Sequence, residues 1–410
     1  MKKISSALAV CACSIFVSTA RADAPAVTAV TLSQDASTQV ATIRYTLQNA
    51  PAVVTLDLRD ADGNSIGGTN MWHLSGDVNR LMPTNGDYTI EWRPLLEKWN
   101  GKVDSLKAVV TAWATNSPPD YMVVDVTTGT NVWFYAGVDC LPGGLLSNTA
   151  YRSTMIVMKY MNAAGVTWTM GGTVAEGHSV TLDYDYYIGV FEVTQGQWLV
   201  LTKGRTPNAY GLMRPMEKAS YNEMRLAAPA GTAPAYNASY DYPHDPHPSS
   251  YLGLLRKRTG VAFDMPSEAQ WEYACRAGQP NGYWNDGTPT SSQCPGRTKN
   301  IAERTADAGS YAQSLNGTYD MHGNVFEWCL DWQQAYSAAW EGIDKGVPNV
   351  NGGTTIDGTA GGNKVRRGGC YAFVSGANEM SGQRDGQAPN TSANYNGFRL
   401  ACPAQPFLTK

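Results

Sequence analysis

The residues best suited to chemistry are concentrated in Tyr319–Trp332, which reads Y-D-M-H-G-N-V-F-E-W-C-L-D-W. Three carboxylates, Asp320, Glu327 and Asp331, share this stretch with four aromatics and a Gly323-Asn324 turn. Carboxylates among large aromatics are costly to bury unless something pairs with them, so the segment needs partners. A bound cation, an arginine or backbone N–H groups could each serve. A second set lies in His244-Asp245-Pro246-His247, where two histidines and an aspartate are of the right kind to ligate a metal. The prolines beside them read instead as a stiff surface turn. His322, inside the first segment, reads as a packing or hydrogen-bonding residue, because no nucleophile occupies a matching position. H-E-x-x-H, G-x-S-x-G, Walker A and G-x-G-x-x-G are absent.

The elements that must position these groups fall into two parts. Over residues 25–115 apolar residues alternate with polar ones, as at Ala41, Ile43, Tyr45 and Leu47, then Val54, Leu56 and Leu58, then Tyr88, Ile90 and Trp92. With turn chemistry at Asp60–Asn64, this predicts an all-β, immunoglobulin-like sandwich acting as a spacer or adhesion domain. The spacing of D-A-D-G-N misses an EF-hand loop, because its glycine comes too early. Residues 116–150, with Ser117-Pro118-Pro119, an apolar run Tyr121–Val126 and Pro142-Gly143-Gly144, read as a linker holding about one strand. From Tyr151 the pattern changes to short helices between long aromatic loops. Thr194–Gln197, Ser220–Glu223 and Ser267–Gln270 each read S/T-x-x-E/Q, the capping box that starts a helix. Tyr251–Arg258 predicts a further helix whose Arg256, Lys257 and Arg258 form a solvated C-terminal end.

The 410 residues are enough for two or three domains with real cores, and 41 glycines with 12 tryptophans and 22 tyrosines suggest a loop-rich protein held by aromatic packing. With 16% charged residues the chain is neither an acidic disordered segment nor a basic nucleic-acid binder. Residues 1–22 read as a signal peptide: Lys2 and Lys3, an apolar Ile4–Val17, and the small-x-small site Ala20-Arg21-Ala22. A lipoprotein cut before Cys13 is the poorer fit, since Cys11 and Ala12 make a weak lipobox. Loss of Lys2, Lys3 and Arg21 takes the net charge from −4 to −7. No later run of about eighteen apolar residues occurs, so no transmembrane segment is expected in an exported, periplasmic or extracellular product. Six cysteines follow the signal, Cys140, Cys275, Cys294, Cys329, Cys370 and Cys402. An even count in an exported chain favours disulfides, though six cysteines allow fifteen pairings.

Five stretches occur in an order that resembles the formylglycine-generating enzyme, or sulfatase-modifying factor, family. They are Y-Y-I-G-V-F-E-V-T-Q-G-Q-W (Tyr186–Trp198), M-P-S-E-A-Q-W-E-Y-A-C-R-A-G (Met265–Gly278), G-T-Y-D-M-H-G-N-V-F-E-W-C-L-D-W (Gly317–Trp332), V-R-R-G-G-C (Val365–Cys370) and N-G-F-R-L-A (Asn396–Ala401). The resemblance covers residues 151–405 and implies a C-type-lectin-like α+β fold with little regular secondary structure. It implies a structural Ca²⁺ on the Asp320 and Glu327 carboxylates and the Gly323 and Val325 carbonyls, hard oxygen ligands of the kind that ion selects. It implies a second calcium site beginning at Asn300 and Ile301. It also implies a Cys275–Cys402 disulfide, with Cys402 standing two residues beyond the family's partner position at Leu400. Cys329–Cys370 is a plausible second pair, and Cys140–Cys294 remains by elimination.

Family oxidases bind copper through a C-x-x-x-x-C pair after R-G-G-S, because soft thiolates hold Cu(I). Counted from Arg367-Gly368-Gly369-Cys370, those positions are Phe373 and Asn378. Copper is therefore not expected, and neither is oxidase activity. The stretch Tyr371–Asn396, rich in Asn, Ser, Gly, Gln and Tyr, has the composition of an adaptable recognition surface. It resembles the variable segment of diversified ligand-binding proteins that share the fold. The expected role is a recognition module for a protein, peptide or glycan ligand. An oxidase with a non-standard site is the alternative.

Overall fold

In the computed structural model residues 23–97, 99, 101–171, 177–202, 207–226, 237–279, 304–334, 362–372 and 380–407 are described. The signal-peptide reading, Cys294, Asn300, Ile301, Phe373 and Asn378 lie outside them. Among the described residues the chain is mostly β with a few short helices.

The N-terminal alternation builds β1 (Ala26–Gln34), β2 (Ala41–Gln48), β3 (Ala52–Arg59), β4 (Leu74–Gly76), β5 (Arg80–Met82), β6 (Gly86–Trp92) and β7 (Lys107–Ala114). One sheet runs β1-β2-β6-β4 and a second runs β5-β3-β7. Every other residue of β2, from Ala41 to Leu47, is buried, as the period-two pleat requires. These residues share one core with Val54, Leu56 and Leu58 of β3 and Ile90 and Trp92 of β6. Asp60 fixes the intervening turn by accepting the N–H groups of Asp62 and Asn64.

The linker reading of residues 116–150 is corrected by the structure. They supply β8 (Tyr121–Asp125) and β9 (Val132–Tyr135) to a sheet completed by β10 (Met155–Met161), β13 (Tyr186–Gly189) and β18 (Ala401–Pro403). Before β13 a short hairpin forms from β11 (Thr167–Met170) and β12 (His178–Thr181). The five-stranded order is β18-β13-β10-β8-β9. All five residues of β8 are buried, so the Y-M-V-V-D run does not alternate, as befits a strand covered on both faces. Met122 and Val124 join one core while Tyr121 and Val123 join another.

The helices are α1 (Gln195–Leu201), α2 (Tyr221–Arg225), α3 (Tyr251–Thr259) and α4 (Glu268–Arg276). Thr194, Ser220 and Ser267 each close the reciprocal capping box read from the sequence. The basic end of α3 is not simply solvated. Arg256 pairs with Asp245 and Asp264, and Arg258 donates to the Thr127 carbonyl, tying the helix to the turn after β8.

The Cys275–Cys402 expectation is also corrected: Cys275 and Cys402 are both free thiols, as are Cys140 and Cys329. Cys402 sits opposite Tyr187 in the β13–β18 register, and both face the core that holds Leu400. Cys275, on α4, packs in a different core with Tyr186 and Ile188. Neighbours in a strand point to opposite faces, so the two thiols lie on opposite sides of the sheet. Alkylation after denaturation, followed by peptide mapping, should find both cysteines labelled; a linked Cys275–Cys402 peptide would contradict this placement.

Candidate functional site

The C-terminal sheet is built on β14 (Phe326–Trp332), β15 (Lys364–Arg367), β16 (Arg384–Gln387) and β17 (Asn396–Gly397), in the order β16-β15-β14-β17. It places the R-R-G-G and N-G-F-R stretches on either side of the opening segment. Ahead of β14 the chain turns through Asp320 (φ 58°), Gly323 (φ 90°) and Asn324 (φ 57°). Left-handed conformations of this kind suit Gly, Asn and Asp. Gly323 N–H donates to the Gly368 carbonyl at 2.6 Å, and Tyr371 N–H donates to the Asn324 carbonyl at 3.0 Å.

Around that turn all five sequence stretches meet. Glu327 accepts from Arg399 Nε at 2.6 Å, Arg399 Nη2 at 2.6 Å and Trp271 Nε1 at 2.6 Å. The same guanidinium donates to the carbonyls of Gly189 and Tyr319, both at 2.9 Å. Glu327, Arg399 and Trp271 are buried. Arginine is thus the partner of Glu327 among the three kinds that the sequence allowed, and a bidentate pair is the strongest form available. A backbone N–H serves Asp320: Gly309 donates to Oδ2 at 2.6 Å, while the buried Oδ1 has no hydrogen-bond partner. Asp331 accepts the N–H of Glu268 at 2.6 Å, placing its charge at the start of α4, where a helix favours a carboxylate.

Glu192 was missed by the sequence reading. Its carboxylate is fully buried and accepts from Asn324 Nδ2 at 2.7 Å and Val325 N–H at 3.2 Å. The available signal was an acid inside the apolar Y-Y-I-G-V-F-E-V run, which a buried strand does not carry without a reason. The cluster then holds three carboxylates, Glu192, Asp320 and Glu327, around the guanidinium of Arg399, and Arg152 also acts on Asp320. Burial pushes the Asp320 carboxyl up to about 6 and Glu192 well above the usual range, and the neighbouring carboxylates add to the rise in both. Burial works against the charge on Arg399, but Glu327 beside it more than offsets this and raises its pKa.

Asp320 offers a hard cation one buried carboxylate oxygen without a hydrogen-bond partner, while among the described residues no group of three or more His, Cys, Asp or Glu side chains is placed to hold a metal ion. Gly323 and Val325 engage other groups through their N–H, so their carbonyls are the parts concerned. Glu327 is committed to Arg399 and Trp271 in this arrangement. Phe373 and Asn378 bring no sulfur, and burial raises the thiols of Cys275, Cys329 and Cys402 above the ordinary range, opposite to what a thiolate ligand needs. His322 Nε2 lies 3.5 Å from Cys275 Sγ in the buried core. In the other histidine set, His247 Nδ1 accepts the Ser249 N–H at 3.1 Å and Asp245 pairs with Arg256.

The described part of Tyr371–Asn396 is held by its backbone and opens outward. Lys218 N–H donates to Ala393 O, and Asn222 N–H donates to Pro389 O, both at 3.0 Å. From Gln383 to Tyr395 every residue is half-buried or exposed.

No helix among the described residues is long and apolar enough to cross a membrane. Formylglycine-generating enzyme of Mus musculus is 24% identical over 57% of this chain and 69% of its own length. The enzyme of the same name from Thermomonospora curvata is 29% identical over 38% of this chain and 54% of its own length. The chain thus spans between about half and two-thirds of these relatives. The solved structure of Treponema denticola variable protein 1 superposes with a TM-score of 0.47 at 22% identity, covering 61% of this chain and 96% of that one. The model of the sulfatase-modifying factor enzyme 1-like domain matches residues 147–404, more than half of the chain. The chain belongs to the sulfatase-modifying factor family.

Proposed function

We propose that this protein is an exported, calcium-stabilised recognition module of the family that lacks its oxidase activity. A lectin-like domain carries the recognition surface, and an immunoglobulin-like sandwich displays it. The observation that carries the reading is the donor set at the family's copper positions: Phe373 and Asn378 stand where two thiolates are required. The half-exposed Gln383–Tyr395 segment, fixed at its backbone within the Asn-, Ser-, Gly-, Gln- and Tyr-rich stretch Tyr371–Asn396, is the ligand-facing surface. Calcium is assigned to Asp320 with the Gly323 and Val325 carbonyls, and Glu327 stands behind them on Arg399. A second ion at Asn300 and Ile301 belongs to the same reading, as does export through residues 1–22. The ligand is a protein, peptide or glycan.

The test is to incubate the reduced full chain with Cu(I) and a C-x-P-x-R peptide. The expected result is no stoichiometric copper binding and no loss of the peptide thiol. Tight copper with turnover would establish the alternative, a formylglycine-generating oxidase with a rearranged site.

A further inference from the structure

Asp241 and Lys364 form a buried pair that the recognition role does not use. Lys364, on β15, is 1% exposed and Asp241 is 2% exposed. The Lys364 Nζ lies 3.0 Å from Asp241 Oδ1 and 2.9 Å from Oδ2, although the two residues stand 123 positions apart in the chain. Nζ also donates to the Leu330 carbonyl at 2.7 Å. It stands over the rings of Trp332 and Tyr221, 4.1 and 4.4 Å from their centroids. An amine and a carboxyl are thus held in contact inside an aromatic shell that excludes water.

The surroundings of the carboxyl suit more than charge pairing. Oδ1 accepts from the Tyr221 hydroxyl and from Tyr242 N–H at 2.9 Å, and Oδ2 accepts from Trp332 Nε1 at 3.0 Å. Fixed donors of this kind stabilise the oxyanion that forms when a nucleophile attacks the carbon between them. Burial raises the Tyr221 hydroxyl well above its usual range, so it stays a donor. Burial also pushes the Lys364 ammonium down to about 8, which brings its lone pair within reach near neutral pH. Burial raises the Asp241 carboxyl too, but Lys364 and the Tyr221 hydrogen bond more than offset this and hold it below the usual range. The protons that condensation requires must therefore come from the lysine. Groups fixed in contact reach effective molarities of about 10⁵–10⁸ M, enough to favour condensation where water is excluded. The product would also remove two buried charges, whose desolvation an ion pair offsets only in part.

We propose that Lys364 and Asp241 condense into an intramolecular isopeptide bond. Two protons pass from Nζ to Oδ2, the nitrogen lone pair attacks Cγ, and the Cγ–Oδ2 bond breaks to release one water. The amide keeps Oδ1 as its carbonyl oxygen on the Tyr221 and Tyr242 donors, and its remaining N–H on the Leu330 carbonyl. The link closes a stretch of chain that contains α3, α4 and β14, and it does not rest on the role proposed for Gln383–Tyr395. To test it, the full chain is reduced, denatured and weighed by intact mass spectrometry, then digested and mapped. The expected mass is lower than that of the unlinked chain by one water, with a branched peptide joining Asp241 to Lys364. Lys364→Arg keeps the charge but presents no amine, and should show no loss of water. A full mass in the unsubstituted chain, a water loss that persists in Lys364→Arg, or a water loss without the branched peptide would each overturn the proposal.

Discussion

Replacing Glu327 by glutamine is expected to destabilise the protein by about 3–5 kcal/mol, and by the same amount in calcium and in chelator. The reason is the fate of Arg399. That side chain is fully buried and makes two of its four hydrogen bonds to the Glu327 carboxylate. A glutamine can still accept from Trp271 Nε1, but it turns an amide NH₂ toward one of the guanidinium donors and removes the opposing charge. Breaking a buried pair from one side costs more than the pair itself contributes, because the remaining ion stays desolvated. Arg399→Met should be damaging for the mirror-image reason. The Glu327→Gln/Arg399→Met double variant should lose less than the two singles summed, since neither ion is then stranded. Urea unfolding of all four proteins measures the cycle. A Glu327→Gln loss that appears only when calcium is present would instead make Glu327 a calcium ligand, with the arginine pair incidental.

What the sequence could show follows from the reach of each interaction. The three capping boxes span four residues each, so local spacing contains all the information needed, and Thr194, Ser220 and Ser267 cap as read. The alternation in β2 likewise predicts its buried face without reference to anything distant. The partner of Glu327 lies 72 residues away, in the segment between β17 and β18 whose placement depends on the whole fold, and only the list of possible partner types was legible. Disulfide pairing failed at the same level. Stepping from Leu400 to Cys402 correctly preserves the strand face, but the side of the sheet occupied by α4 is set by tertiary packing. The apolar run Tyr121–Val126 reads as a strand and forms β8, but its place inside a five-stranded sheet, with β9 beside it, depends on partners far along the chain. Glu192 was not legible for the same reason, since the groups it accepts from, Asn324 and Val325, lie 132 and 133 residues away.

Asp320→Asn separates the metal reading from everything else in the cluster. Asparagine tolerates the left-handed backbone that Asp320 adopts at φ 58°, and it can still accept from Gly309 N–H through its amide oxygen. In chelator the substitution therefore removes a buried charge that holds a single hydrogen bond, and stability should be unchanged or slightly higher. In calcium the outcome reverses. An ion bound to the native state alone stabilises it by about 2.7 kcal/mol when its concentration is a hundred times Kd. The unsubstituted protein should gain about that much in saturating calcium, and the Asp320→Asn variant should gain little. Thermal unfolding of both proteins, with calcium and with chelator, gives the four values required. An equal calcium increment in the two proteins would remove Asp320 from the site. An absence of any increment in the unsubstituted chain would mean that no ion holds this turn, the acids beside Arg399 being neutralised by protons instead.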